Sequence, residues 1–185
     1  MGANRPRNVL RELTRPAFQD SAAALAREVL ARRAEARLDP EVANRRRKFG
    51  DGHGMIIRSA KDVFEWGKGR INELDFEEAW VLSLNRKSIL LRARRLGRGD
   101  MGMIEFESDS AIDAADHPSL AGFILVHNHP SGIVKPGKAD IRTTMEIRDL
   151  ARQREMRLLD SVIVSAMRYL SMVEQGILPE RLNAR

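Results

Sequence analysis

The chain has 185 residues, no cysteine and a formal net charge of +6, which is long enough for a buried core of its own. The missing thiols exclude disulfides and thiolate metal ligands and fit a reducing, cytoplasmic setting. Apolar runs stay short of the roughly eighteen residues of a membrane span, and the Arg-rich stretch 1–15 lacks the apolar centre of a secretory signal.

Charge is unevenly placed. Residues 1–50 carry 12 Lys+Arg against 6 Asp+Glu, and the remainder carries 20 of each. Residues 1–17 hold two prolines and four arginines and read as irregular. The stretch 21–38 is rich in helix formers, with Leu25, Val29 and Leu30 at helical spacing, Asp20 or Ser21 as cap and Asp39-Pro40 as stop. Its narrow apolar stripe suits docking onto another surface or pairing with a second copy. Arg45 to Lys48, followed by Gly50, Gly52 and Gly54, marks the boundary between a basic N-terminal segment, 1–54, and a compact domain, 55–185. The basic arm points to nucleic acid as a partner, with an affinity that falls steeply with salt. The competing reading is a solvated tail and linker. His53 reads as a plain loop histidine.

In the compact domain, Ser59-Ala-Lys-Asp62 has the form of a capping box opening a helix through Gly67. Trp80 to Leu84 and Ile89 to Ala93 read as two strands joined by the Asn85–Ser88 turn. Gly97, Gly99 and Gly102 predict a loop, 103–106 a short strand, and 109–115 a helix ended by His117-Pro118. Then follow an apolar strand from Phe123, a Pro/Gly loop over 130–137, and a helix from Lys138 to Gln153. Ile141, Met145, Arg148 and Leu150 give that helix its apolar side, with Ile147 less well placed. Strands over 158–164 and 169–173 close the chain. Alternating strands and helices, with some hairpins, predict a mixed sheet covered by helices.

The densest chemistry lies in Phe123-Ile-Leu-Val-His127-Asn128-His129-Pro130-Ser131-Gly132. Alternate side chains of a strand share a face, so His127 and His129 stand side by side at a strand end. Asp140, reached across ten residues, supplies a third ligand. Three protein ligands leave the fourth position of a tetrahedral Zn²⁺ to water, the catalytic arrangement. The plainer reading is a packed or solvated histidine pair. Hydrolysis also needs a carboxylate to carry protons. Glu77 and Glu78 open the first strand on opposite faces, Glu77 with Ala79, Val81 and Ser83, Glu78 with Trp80, Leu82 and Leu84. Either face could be toward the metal.

His127-Asn-His-Pro-Ser-Gly132, with Asp140 eleven residues after the second histidine, resembles the signature of RadC-type proteins of the JAMM (MPN, or JAB) metalloprotease superfamily. The stretches 57–63, 77–85, 159–163 and 169–176 are similar to further segments of that family. The resemblance implies a three-layer α/β/α domain, His127, His129 and Asp140 as zinc ligands, and Glu77, by its spacing to Asn85, as general acid/base. It implies a zinc-dependent hydrolase acting on peptide or isopeptide bonds, with a protein or peptide as substrate. DNA repair is the traditional label of the RadC branch.

The chain departs from that pattern in four places. Gly137 stands where the family usually carries a serine that helps stabilise the tetrahedral intermediate. Ser131 belongs, by the family pattern, to the Pro-Ser-Gly turn rather than to that role. Asp160 is followed by Ser161 rather than histidine, the stretch 100–120 lacks the family's Pro-Arg-Glu, and no Gly-rich helix-hairpin-helix region is read in residues 1–54. The alternative function is therefore a catalytically weak or inactive MPN-type binding module, associated with DNA through its basic segment.

Overall fold

A computed structural model describes residues 51–99 and 106–179, and all structural statements refer to these. The expected basic helix over 21–38, the Arg45–Lys48 run, Gly102 and most of the strand expected over 103–106 lie outside them.

Helix α1 (Ala60–Gly67) starts as its sequence predicts. Ser59 Oγ accepts from the Asp62 N–H at 3.3 Å, and Asp62 Oδ2 accepts from the Ser59 N–H at 3.0 Å. Strand β1 (Glu77–Leu84) is buried at every residue, as a strand covered on both faces must be. Strand β2 (Leu90–Gly99) returns antiparallel to it. The turn between them is held by Asn85 Oδ1, which accepts from the N–H groups of Lys87 and Ile89 at 2.9 and 3.0 Å. Helix α2 (Ser108–Ala115) leads to strand β3 (Gly122–Asn128). Helix α3 (Lys138–Gln153) then crosses over to strand β4 (Leu158–Val164), and strand β5 (Tyr169–Ser171) ends the series.

The five strands form one mixed sheet in the order β2-β1-β3-β4-β5. Only β3 and β4 run parallel, as a helical crossover requires. Helix α1 packs against β4 and β5, while α2 packs against β1 and β2, and α3 against β4 and α2. Val81, Phe123 and Leu125 from the sheet meet Ile112, Ala115, Ile147 and Ala151 from α2 and α3 in one core. On the opposite face Trp66 of α1 meets Trp80 edge-on, with ring centroids 5.7 Å apart. The chain thus has the α/β/α layering of a JAB/MPN-type domain.

Three expectations are corrected. Gly97 and Gly99 lie in β2, not in a loop, because β1 begins at Glu77 and β2 pairs along its whole length, Gly97 with Ala79 and Gly99 with Glu77. The glycines accompany a register shift between Ala79 and Trp80, a common use of glycine in strands. In α3 the fully buried line is Thr144, Ile147 and Ala151, so Ile147 is central and Ile141, Met145 and Leu150 flank it. The last strand stops at Ser171, where the chain turns: Asp160 Oδ2 accepts from Ser171 Oγ at 2.6 Å and its Oδ1 from the Val173 N–H at 3.1 Å, and Ser171 Oγ accepts from the Glu174 N–H at 3.0 Å. Burial pushes the Asp160 carboxyl up, against these hydrogen bonds.

Candidate metal centre

The antiparallel pairing of β1 with β3 brings the start of one to the end of the other, with Ala79 opposite His127. Past Asn128 the chain leaves the sheet, and the His129 N–H donates to the Val164 carbonyl at 2.8 Å. The loop folds back tightly. Gly132 adopts φ +78°, its N–H donates to the His129 carbonyl at 3.1 Å, and Ser131 Oγ accepts from the Ile133 N–H at 3.3 Å. Ser131 is therefore a turn residue. The return sets the Ile133 carbonyl 2.7 Å from His129 Nδ1. A carbonyl only accepts, so Nδ1 carries the proton and Nε2 keeps its lone pair for a metal.

Asp140 sits in the first turn of α3, where the helix dipole favours a carboxylate. Its Oδ2 accepts from the Gly137 N–H at 2.7 Å. The ligand atoms converge: His127 Nε2 lies 3.1 Å from His129 Nε2 and 3.5 Å from Asp140 Oδ1, and His129 Nε2 lies 3.7 Å from Asp140 Oδ2. All three fall within 4.8 Å of one another, the only such group of three or more potential ligands among the described residues. His127, His129 and Asp140 are positioned to bind a metal ion. Two imidazole nitrogens and one carboxylate suit zinc and its neighbours in the transition series.

Burial lowers the His127 pKa to about 4; the Asp140 charge opposes this and His129 reinforces it. The ring is thus neutral at pH 7, as a ligand must be. Since the folded-state value lies below the unfolded 6.5, the folded chain binds fewer protons across that interval. Metal-free protein should keep this stability above pH 6.5 and lose it as pH falls to about 4, by up to about 3 kcal/mol. Urea midpoints measured against pH in chelator check this; His127→Gln should flatten the decline.

The two neighbouring glutamates part company. Glu77 lines a cavity of about 80 Å³ together with His127, Asp140, Leu125, Phe106 and Thr143. Burial raises its carboxyl pKa, with His129 lowering it and Asp140 raising it. Glu78 is fully buried on the other face. Its Oε2 accepts from Trp80 Nε1 at 3.0 Å and its Oε1 from Arg95 Nη1 at 3.2 Å. Gly137 caps α3 in an extended conformation, φ −77° and ψ 171°, and offers only its backbone beside Asp140. Asn128 received no role in the sequence reading beyond its place between the histidines. It is wholly buried and bonded to the backbone on both sides of Glu77, with Nδ2 donating to the Phe76 carbonyl and Oδ1 accepting from the Glu78 N–H, each at 2.7 Å. Its partners lie 50 and 52 residues upstream, so spacing alone gave no signal.

A layered α/β domain with two histidines and an aspartate gathered at one end of its sheet defines the class of metal-site JAB/MPN-type domains. Residues 57–177 match the RadC-like JAB domain, and the chain belongs to that family. A UPF0758 protein of Chlorobium chlorochromatii (strain CaD3) is 33% identical over 135 residues, 73% of this chain and 61% of the relative. A UPF0758 protein of Staphylococcus carnosus (strain TM300) is 36% identical over 120 residues, 65% of this chain and 53% of the relative. The chain thus spans between half and two thirds of the length of these curated relatives. No helix among the described residues is long and apolar enough to cross a membrane.

Proposed function

We propose that the chain is a zinc-dependent hydrolase of peptide or isopeptide bonds. The observation that carries the proposal is the convergence of His127, His129 and Asp140 beside a cavity that Glu77 also lines. When bound there, zinc supplies a water of pKa lowered toward about 7 and polarises a substrate carbonyl. The chain's residues do the rest. His127 and His129 present Nε2, His129 with its tautomer set by the Ile133 carbonyl. Asp140, tethered by the Gly137 N–H, adds one negative charge. Glu77 takes the proton released by the attacking water and delivers it to the leaving nitrogen, a task its raised proton affinity suits.

The test is metal analysis with turnover. Purified full-length protein should hold about one zinc per chain, and His127→Ala and Asp140→Ala should lose it. Wild type should cleave members of a broad peptide and isopeptide panel, and chelation should stop it. A wild-type chain without zinc would sink the proposal. One specific observation favours a second reading, a binding module of low activity: Gly137 brings no side-chain donor to the site. Zinc present with no turnover across the panel would select that reading.

A further inference from the structure

We infer that Asn128 is the positioning residue for Glu77, its side-chain amide standing in for main-chain pairing where β3 leaves β1. Only the significance of Glu77 rests on the hydrolase reading; the clamp itself is geometric. The registered ladder between β1 and β3 ends at Ala79 and His127. Beyond it the His129 N–H turns to Val164, and Pro130 has no N–H to give. The first residues of β1, Glu77 among them, would start without support from β3. Asn128 supplies that support from the side. Its amide offers one donor and one acceptor, as a peptide group does, and both are used on the peptide units flanking Glu77. The amide orientation is forced, since a flipped group would set a donor against the Glu78 N–H and an acceptor against the Phe76 carbonyl.

The consequence is local. His127 and His129 take their place from strand pairing and the loop, and Asp140 from α3, whereas Glu77 sits at a strand start. Fixing the peptides on both sides of its Cα sets where its carboxylate enters the cavity. Proton transfer tolerates little displacement, and a shift of about 1 Å can cost about 10²-fold in rate. Asn128 is wholly buried, and its amide is spent on main-chain atoms beside Glu77; it acts through Glu77.

The test uses the full chain as Asn128→Ala, which removes both bonds, and Asn128→Asp, which keeps an acceptor for Glu78 and loses the donor to Phe76. Amide exchange by NMR, on metal-free and zinc-loaded protein, should show the Glu78 N–H exchanging about tenfold faster in Asn128→Ala, with Leu82 and Leu125 still protected. Zinc content and KM should stay at wild-type values, while kcat on a substrate from the panel falls about 10- to 100-fold in Asn128→Ala and less in Asn128→Asp. Unchanged Glu78 exchange, or wild-type kcat despite lost protection, would overturn the assignment. If Asn128→Ala does not fold, Asn128→Asp decides: lowered kcat with zinc and KM intact supports the inference, and wild-type kcat refutes it. If wild type hydrolyses nothing on the panel, the hydrolase reading fails, and exchange at Glu78 alone settles whether the clamp exists.

Discussion

Glu77→Gln should keep about one zinc per chain and lose hydrolysis, with kcat falling by about 10² to 10⁴. The substitution preserves shape and removes only the capacity to take a proton. His127, His129 and Asp140 converge without help from Glu77, so metal content and thermal midpoint should stay near wild type. The raised proton affinity of Glu77 has burial as its main cause, and Gln also relieves the cost of a buried charge. Stability should therefore not fall. A Glu77→Gln protein that cleaves panel substrates at the wild-type rate would end the proton-transfer assignment, whatever its zinc content.

Gly137→Ser should raise turnover by about 10² to 10³, the usual worth of one donor to a developing oxyanion. The backbone there is extended, at φ −77° and ψ 171°, which any residue adopts without strain. A Cβ added at Gly137 would lie 3.4 Å from Asp140 Oδ2, an ordinary contact. The position is the N-cap of α3, so the new hydroxyl also meets N–H groups of the first turn, with a stability gain of roughly a few tenths of a kcal/mol. Comparing kcat and KM of both proteins on one substrate checks this. A higher kcat at unchanged KM means that the hydroxyl serves the transition state. Zinc-loaded protein with an unchanged rate would mean that the hydroxyl stays with the helix and that Gly137 is not what limits the site.

The parts legible in the sequence were those whose cause is local. His127 and His129 share a face because strand geometry alternates, and the capping box at Ser59 and Asp62 is a four-residue event. The helix from Lys138 to Gln153 has its expected ends. What escaped depends on contacts made at a distance. The residues alone left the choice between Glu77 and Glu78 open, and only the resemblance, through the spacing to Asn85, pointed to Glu77; in the fold the pairing of Ala79, on the face of Glu77, with His127 sets which carboxylate looks toward the histidines. Gly97 and Gly99 carry the composition of a loop, yet pairing with the start of β1 holds them in a strand. Ile147 looked marginal on a helical wheel, but the sheet lies along the line through Thr144 and Ala151. Asn128 bonds only to main-chain atoms, which are the same for every residue type.

The tandem glutamates have a further consequence for how β1 finds its alignment against β3. If β1 slid by a single residue against β3, the pleat would exchange faces, and one carboxylate would arrive where the other belongs. Such a misaligned state would still place an acid beside the histidines. Its cost lies elsewhere: Trp80 would turn with Glu78 away from Trp66, and Val81 would leave the core that it shares with Phe123 and Leu125. The apolar faces of β1 thus admit one alignment and lock out its near twin.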